Sequence, residues 1–281
     1  MRLSLLAGTA LVVGVANPAV CDEWSHRYAL QGRPEVHVKT GDGSVHVETG
    51  EASEVEARVT TEGWKIAPGE VTVTESQTGN RIEIDVRLPK SHFGSPTGHR
   101  SVSLVLRVPA QADLDVHTGD GSIEVKPISG RVTLGTGDGS IAADGLQGEI
   151  RLHSGDGSIR ATGLAGRLQA DTGDGHLNVR GRFDALDLRT GDGGIEAAAE
   201  PGSKVESAWS LRSGDGGITL RVPADLNADL DAHTGDGRIN LDRPVTITGT
   251  VSPSAVRGKL GSGGLPLLLH TGDGSIQLLG L

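Results

Sequence analysis

The sequence contains few of the residues that usually build a large globular core. Of its 281 residues, one is cysteine and one is methionine, whereas 43 are glycine; tryptophan, tyrosine and phenylalanine number 3, 1 and 2. A core in a chain of this length normally uses more large side chains, so we expect a narrow interior filled by Val, Ile, Leu and Ala. The single cysteine, Cys21, excludes an internal disulfide, so packing and backbone pairing alone must hold the fold together.

Positive charge and long apolar runs are also scarce. The chain has 26 Lys and Arg against 36 Asp and Glu, a formal net charge of −10. An acidic surface is unsuited to nucleic acid and to anionic lipid, so we expect neither as a partner. Beyond Cys21 no segment approaches the roughly 18 consecutive apolar residues of a membrane-spanning helix. The sequence therefore does not predict an integral membrane protein.

The N-terminus has the pattern of an export signal. Arg2 precedes an apolar stretch, after which small residues and then two acidic residues follow. This layout is typical of a secretory signal peptide and is too short to span a membrane. We predict a signal peptide at residues 1–21, cleaved after Cys21, and an exported protein in the periplasm or at the cell surface. Lipidation of Cys21 is the alternative, although Pro18 and Val20 depart from a lipoprotein signal.

One tetrad, Thr/Ser-Gly-Asp-Gly, occurs nine times. From Asp120 to Asp192 the tetrad aspartates follow one another every 18 residues. A fixed period of this length indicates a repeat architecture in which each unit packs against its neighbours. The nine aspartates are Asp42, Asp120, Asp138, Asp156, Asp174, Asp192, Asp215, Asp236 and Asp273.

Each 18-residue unit predicts two short strands. In the unit 118–135, apolar residues alternate at Ile123 and Val125 and again at Val132 and Leu134. A period of two is typical of half-buried strands, and the density of glycine excludes helix. A three-sided helix of hexapeptides would repeat apolar residues every six positions, which these units do not. We therefore predict an all-β, single-chain parallel β-solenoid with two strands per unit. Its two buried columns should be Ile123, Ile141, Ile159 and Leu177 and, facing them, Val132, Ile150, Leu168 and Leu186.

The chain divides into a looser and a more regular part. Residues 22–116 predict divergent N-terminal units of the same type, including a hairpin at 69–88 with its turn at a Thr-Gly-Asn sequence. Residues 117–281 predict the regular solenoid.

The C-terminal units contain an interruption and an unprotected end. The segment 251–264 is rich in Pro, Ser and Gly, which predicts a surface loop excursion. The final strand, Ser275–Leu281, ends the chain without a covering element, so we expect an open edge there. Either the excursion covers this edge, or a partner or a second copy docks on it by strand addition.

A longer block of sequence occurs twice and carries a family resemblance. Residues 101–123 and 218–239 both contain Leu-Arg-Val-Pro-Ala and continue through Asp-Leu-Asp to His-Thr-Gly-Asp-Gly, which indicates a duplication. The first copy, followed by Gly-x-Val-x-Leu at 130–134, resembles the bacterial putative-adhesin family, a domain of unknown function, and the resemblance covers most of residues 35–281. It implies a β-solenoid of strand repeats in an envelope protein, and it supplies no catalytic residues.

The tetrad aspartates are the strongest candidates for a site. Stacked units would place them about 4.8 Å apart, where two charges repel by about 0.9 kcal/mol even in water. We expect turn amides to hold the carboxylates while the flanking glycines adopt positive φ, so that the tetrad is a turn. The alternative is a calcium column as in nonapeptide β-rolls, although here Asp stands three residues, instead of two, before the apolar position. That column would consist of Asp120, Asp138, Asp156, Asp174 and Asp192.

Other chemistry has less support in the pattern. The aspartates repeat one environment, whereas a glycosidase sets two carboxylates apart, so a polysaccharide-active enzyme is only the third alternative. Histidines precede the tetrad at His117, His153, His233 and His270. The first two should lie two units apart, about 9.6 Å, which is too far to share a zinc ion. We therefore predict a non-enzymatic envelope structural or interaction module without catalytic residues, cofactor or resident metal, whose partner is an envelope or surface component.

Overall fold

The computed structural model describes residues 21–89, 100–248 and 251–281. The regular structure in these ranges is strand throughout, and its 23 strands join in one mixed sheet. No helix in the described ranges is long and apolar enough to cross a membrane. The prediction of an all-β chain is confirmed. The predicted signal peptide lies outside the described residues except for Cys21, which is exposed at the start of the first strand.

The strands fall into three consecutive stretches of the chain. The first contains β1 (Cys21–Ala29), β2 (Glu35–Thr40), β3 (Ser44–Thr49), β4 (Glu54–Glu62), β5 (Thr72–Thr78), β6 (Arg81–Arg87) and β7 (Ser101–Val108). The second contains β8 (Asp113–Thr118), β9 (Ile123–Val125), β10 (Ser129–Thr136), β11 (Ile141–Asp144), β12 (Gln147–Ser154), β13 (Ile159–Thr172), β14 (Leu177–Thr190), β15 (Ile195–Ala199), β16 (Trp209–Ser213) and β17 (Ile218–Val222). The third contains β18 (Ala228–Thr234), β19 (Ile239–Leu241), β20 (Val245–Ile247), β21 (Ala255–Leu260), β22 (Pro266–Thr271) and β23 (Ile276–Gly280).

These strands form two ladders around a shared core. Ladder A has the order β5–β6–β2–β8–β10–β12–β13–β14–β16–β22–β18–β21–β20. Ladder B has the order β1–β4–β7–β3–β9–β11–β13–β14–β15–β17–β23–β19. The long strands β13 and β14 belong to both, and pairing is parallel except near the two ends. We call one ladder A strand, its tetrad turn and the ladder B strand that follows it a coil.

The coils between residues 113 and 190 stack at the 18-residue step that the sequence predicts. In ladder B, Ile141 lies in register with Ile123 on one side and Ile159 on the other. In ladder A, Ile150 lies between Val132 and Leu168 in the same way. All eight residues of the two predicted columns are at most 2% exposed, and they belong to one apolar cluster. The predicted register of these strands is therefore confirmed.

The predicted hairpin at 69–88 is also confirmed. Strands β5 and β6 pair antiparallel, with Thr78 opposite Arg81. The turn between them uses Gly79, whose φ of 62° favours glycine. This hairpin places β5 at the outer edge of ladder A.

At both ends of the molecule the order of coils in space differs from their order in the chain. The coil 35–49 lies between strands β6 and β7 on one side and the coil 113–125 on the other. The coil 266–280 lies between the coils 209–222 and 228–241. The final strand β23 is thus paired on both sides, and the prediction of an open edge at Ser275–Leu281 is wrong. The physical reason is that an inserted coil pairs along both of its edges, whereas a terminal coil would leave one edge unpaired.

The excursion 251–264 contains a strand as well as loop. Its β21 pairs antiparallel with β18, and β20 then pairs with β21. The excursion therefore covers a sheet edge, which was one of the two sequence-based alternatives, but the covered edge belongs to β18 and not to the last strand.

The duplicated sequence block marks the two places where the chain skips a coil. After its first Leu-Arg-Val, residues 109–112 connect β7 to β8; after the second, residues 223–227 connect β17 to β18. Each connection passes over one coil position, and a coil from a distant part of the sequence, 35–49 or 266–280, occupies that position. The repeated Leu-Arg-Val-Pro-Ala motif is therefore associated with a change in strand order.

Candidate functional site

The nine tetrads lie in single file where the ladder A strands turn into ladder B strands. At a coil spacing of about 4.8 Å this file is about 38 Å long. We call it the tetrad ridge. The five aspartates that the calcium hypothesis named are consecutive members of it. In spatial order the ridge aspartates are Asp42, Asp120, Asp138, Asp156, Asp174, Asp192, Asp215, Asp273 and Asp236.

The hydroxyl groups of the tetrads hold neighbouring coils together. Thr136 Oγ1 lies 3.0 Å from the carbonyl oxygen of Gly119 and 2.8 Å from that of Gly121, and donates to this pair. The amide of Gly139 in turn donates to Thr136 Oγ1 at 3.2 Å. These hydroxyls are buried, where a made hydrogen bond stabilises by about 1 kcal/mol and an unmade one costs more. The buried series comprises Thr118, Thr136, Ser154, Thr172, Thr190, Ser213, Thr271 and Thr234.

The second glycine of eight of the nine tetrads is required by the closeness of the next coil; at the ninth, Gly43, the nearest backbone atom to an added Cβ is Val102 O at 3.2 Å. A Cβ atom added at Gly157 would lie 1.9 Å from the carbonyl oxygen of Gly139, and one at Gly175 would lie 2.2 Å from that of Gly157. The tetrad glycines do not have positive φ, so that part of the prediction is wrong; positive φ occurs at the starts of ladder A strands, as at Gly148 (115°) and Gly166 (114°). Stacking, and not a left-handed backbone, demands glycine in the tetrad.

The tetrad carboxylates are exposed and take no part in this network. All nine aspartates are exposed to solvent, and no described residue donates a hydrogen bond to their side chains. The prediction that turn amides hold these carboxylates is therefore wrong. The amides are already used between coils, since Gly155 N and Asp156 N both donate to the carbonyl oxygen of Gly137, at 2.6 and 3.1 Å. The ridge thus presents one solvated negative charge per coil.

The described residues contain no ready-made metal centre. In residues 21–89, 100–248 and 251–281, no three His, Cys, Asp or Glu side chains converge on a position that could hold a metal ion. Each coil contributes one ridge carboxylate, and calcium prefers six to eight oxygen ligands. A calcium column along the ridge stays an alternative hypothesis for experiment to test.

Two of the four histidines that precede a tetrad are neighbours in space, because one of them lies on the inserted coil 266–280. His233 and His270 are register partners on β18 and β22, with ring centroids 6.2 Å apart and ring planes at 85°. Partial burial lowers the pKa of His270. Counting 18-residue units along the sequence could not place these two residues side by side. Their coils are adjacent only because the order of strands in space differs from their order in the chain. His117 and His153 lie two coils apart, as predicted, and each contacts an aspartate.

A second candidate site, which the sequence did not reveal, is a groove on the outer face of ladder A. It has a volume of about 380 Å³ and lies among β5, β6, β2 and β8. His37 Nδ1 is 3.1 Å from Asp115 Oδ2, and its Nε2 is 2.7 Å from Glu35 Oε1. Arg81 reaches the same Glu35 oxygen at 3.0 Å, and its hydrogen bond lowers the pKa of Glu83. The groove is lined by side chains that pair with one another. The sequence feature that could have predicted this groove is the match between Glu-Val-His-Val and Asp-Leu-Asp-Val. The match indicates a groove only when the two coils that contain these segments are known to be neighbours.

One family model matches almost all of the described chain. The family is described as Toastrack DUF4097, and the match extends over residues 34–279. No curated protein matches the chain significantly.

Several solved structures of bacterial proteins have similar chains. One is described as a putative adhesin from Parabacteroides merdae; it is 11% identical, with a TM-score of 0.47, and the alignment covers 92% of this chain and 96% of that one. Another, a putative lipid binding protein from Parabacteroides distasonis, is 13% identical with a TM-score of 0.44, at 92% and 97% coverage. A putative adhesin from the same species is 12% identical with a TM-score of 0.43, also at 92% and 97% coverage. The assignment of the chain to a family is supported by the family match and not by these structures.

Proposed function

Since the chain belongs to the Toastrack DUF4097 family, we propose that it is a non-enzymatic, exported envelope protein built as a β-solenoid, an adhesin-like structural or interaction module. The N-terminal sequence pattern supports export to the periplasm or the cell surface. The stacked coils support the solenoid, because each of them buries its apolar side chains against its neighbours.

The observation that carries this proposal is how the tetrad uses its polar groups. In the tetrad 154–157, the hydroxyl of Ser154 donates to Gly139 O at 2.8 Å, and the amide of Gly157 donates back to that hydroxyl at 3.0 Å. The most frequent motif of the chain thus uses its hydrogen-bond donors to join neighbouring coils, which is a structural role. An enzyme would instead direct such groups toward a reacting atom.

The outer faces of the ladders are available for an extended partner. On ladder A, Arg131 Nε lies 3.3 Å from Glu149 Oε2 in the next coil, and Arg151 contacts the same carboxylate. Exposed ion pairs of this kind stabilise weakly, by about 0–1 kcal/mol, and can be exchanged for contacts with a partner at little cost. A broad, polar, rigid face suits attachment to an envelope surface better than capture of a small molecule.

Cell fractionation tests the proposed location. The full chain, tagged after Leu281, is expressed beside a variant in which Leu5 and Leu6 are replaced by Arg to interrupt the apolar stretch. We expect the parent in the periplasmic or surface fraction and the variant in the cytoplasm. A parent that stays in the cytoplasm contradicts the proposal.

A binding assay tests the proposed activity. The protein recovered from that fraction is mixed with isolated envelopes and with soluble capsular and cell-wall glycans, and both sedimentation and release of reducing ends are measured. We expect saturable retention on envelopes without any release of reducing ends. An Ile141→Asp chain, with its core disrupted, is the control that must not bind. Release of reducing ends above the control would favour the polysaccharide-active enzyme instead.

A further inference from the structure

The strand pairings separate the C-terminal residues from the rest of the molecule. Within residues 228–281, β18 pairs with β21 and β22, β20 pairs with β21, and β19 pairs with β23. Among the described strands, β18, β19, β20 and β21 have no partner in residues 113–222. This C-terminal block is therefore joined to the preceding coils by two pairings, β16 with β22 and β17 with β23, and by the linker 223–227.

The junction between the block and the preceding coils is apolar and dry. Trp209 faces Leu267 in register, and Ile218 faces Ile276; all four side chains are 0% exposed. An opened junction would expose these side chains together with two rows of unpaired amides and carbonyls on each side. The open form must therefore close again on a surface with the same strand pattern.

A second copy of the chain has that surface already, because its own β16 and β17 carry the same strand pattern. We propose that the block 228–281 is an exchangeable unit, which pairs with β16 and β17 of its own chain in the monomer and with β16 and β17 of a second copy in an assembly. Every contact of the junction is then reproduced between chains, so the two states differ mainly in the path of the linker. This inference stands independently of the proposed envelope function.

The linker 223–227 permits this exchange. It passes over one coil position, two steps of about 4.8 Å, whereas five residues can extend over about 17 Å. Its contacts also move with the block: Arg243 donates to the carbonyl oxygens of Pro223 at 3.3 Å and Ala224 at 2.8 Å, and Asn227 accepts from the amide of Ser262 at 2.8 Å. Among the described residues no hydrogen bond joins the linker to residues 113–222, although Leu226 is buried in the core.

The corresponding linker at the N-terminal end is fixed. Residues 109–112 are bonded to the middle coils, since Ser129 N donates to Ala110 O at 2.7 Å and Ala112 N donates to Ser129 O at 3.2 Å. Gln111 forms a β-bridge with Ser129 as well. The two ends share one topology, but the contacts of their linkers single out the C-terminal block as the unit that exchanges.

A short tether gives the block an effective concentration in the millimolar range toward its own chain. The monomer should therefore dominate at micromolar protein, and exchange should become substantial when the chain refolds at a concentration that approaches the millimolar range. Such exchange is reciprocal in a dimer and open-ended in a longer assembly.

Two engineered cysteine pairs that share one position test the proposal. Arg212 and His270 are register partners across the junction, whereas His233 and His270 are register partners inside the block. Neighbouring strands lie about 4.8 Å apart, which suits a disulfide. The full chain with Cys21→Ser receives Arg212→Cys with His270→Cys, or His233→Cys with His270→Cys. Each variant is refolded at micromolar and near-millimolar concentration, oxidised, and separated by non-reducing electrophoresis.

We expect the junction pair to give disulfide-linked dimers and larger species, with a fraction about 500-fold higher at 1 mM than at 1 µM for an effective concentration of about 1 mM. The pair inside the block should give monomers at both concentrations. Thr133→Cys with Arg151→Cys, a register pair of the middle coils, is the control for nonspecific crosslinking and should also stay monomeric. If the junction variant fails to melt like the parent, Ser210→Cys with Leu268→Cys crosses the same junction and replaces it.

Two results would overturn the proposal. If the junction pair stays intrachain at both concentrations, the block does not exchange. If the junction pair and the pair inside the block are both interchain, the exchanging segment is the last coil alone and not the block 228–281.

Discussion

Replacing the second glycine of one tetrad with alanine should destabilise the protein by far more than a surface methyl group normally does. We choose Gly157→Ala because the added Cβ would lie 1.9 Å from the carbonyl oxygen of Gly139 in the adjacent coil. Real Cβ contacts essentially never fall below 3.0 Å, so the two coils must separate locally by about 1.1 Å. The clash is with backbone, which cannot rotate away as a flexible side chain would.

The expected loss of stability is about 3 kcal/mol. Overpacking of a tight interior costs about 1–3 kcal/mol. Separation of the coils also weakens the hydrogen bonds from Ser154 to Gly139 O at 2.8 Å and from Gly155 to Gly137 O at 2.6 Å, each of which contributes about 1 kcal/mol. Alanine also lowers the conformational entropy of the unfolded chain, which offsets about 0.4–1 kcal/mol of this loss of stability. For a chain of this size the net change corresponds to a Tm about 6–12 °C lower.

Thermal unfolding followed by circular dichroism measures this change, and the chain offers a matched control. At Gly194 the nearest atom to an added Cβ is the carbonyl oxygen of Gly217 at 3.4 Å, and φ there is not positive. Gly194→Ala should therefore stay within about 0.5 kcal/mol of the parent. If Gly157→Ala melts with the parent, or if both variants lose the same stability, close approach of the coils is not the reason for the tetrad glycines.

Three further changes test the core, the ridge and the cap. Ile141→Asp places an unpaired charge in a column residue that is 1% exposed, so several neighbouring coils should unfold and lose amide protection in hydrogen exchange; a parent-like melt would contradict the register. Asp156→Asn removes one of a row of like charges, so stability in low salt should stay level or rise by up to about 1 kcal/mol, with the gain vanishing in high salt. A much lower Tm for Asp156→Asn, combined with loss of parent stability on chelation, would instead favour the calcium column. Deletion of 252–263 removes β21 and exposes the edge of β18, so light scattering should show oligomers; an unchanged monomer would mean that β21 is not needed as a cap.

The middle of the molecule was predictable because chain neighbours there are spatial neighbours. A period of 18 residues with apolar alternation is enough to place Ile141 between Ile123 and Ile159 and to assign both strands of each coil. The role of the tetrad was only half predictable. Its sequence indicates a turn, but that Gly157 approaches a carbonyl of the next coil, and that Asp156 is left unbonded, depend on how closely the coils stack.

What the sequence determined by itself is the coil: its strands, its turn and its buried side chains, since all of these follow from local periodicity. Tertiary structure alone decided which coil lies beside which at the two ends. The tetrads at 40–43 and 271–274 are the same as those of the middle coils and offer the same pairing edges, so local sequence cannot distinguish their neighbours. Packing of the whole chain inserts them at skipped positions, because an inserted coil pairs along both edges. The contacts His37–Asp115 and His233–His270 therefore exist only as consequences of that order.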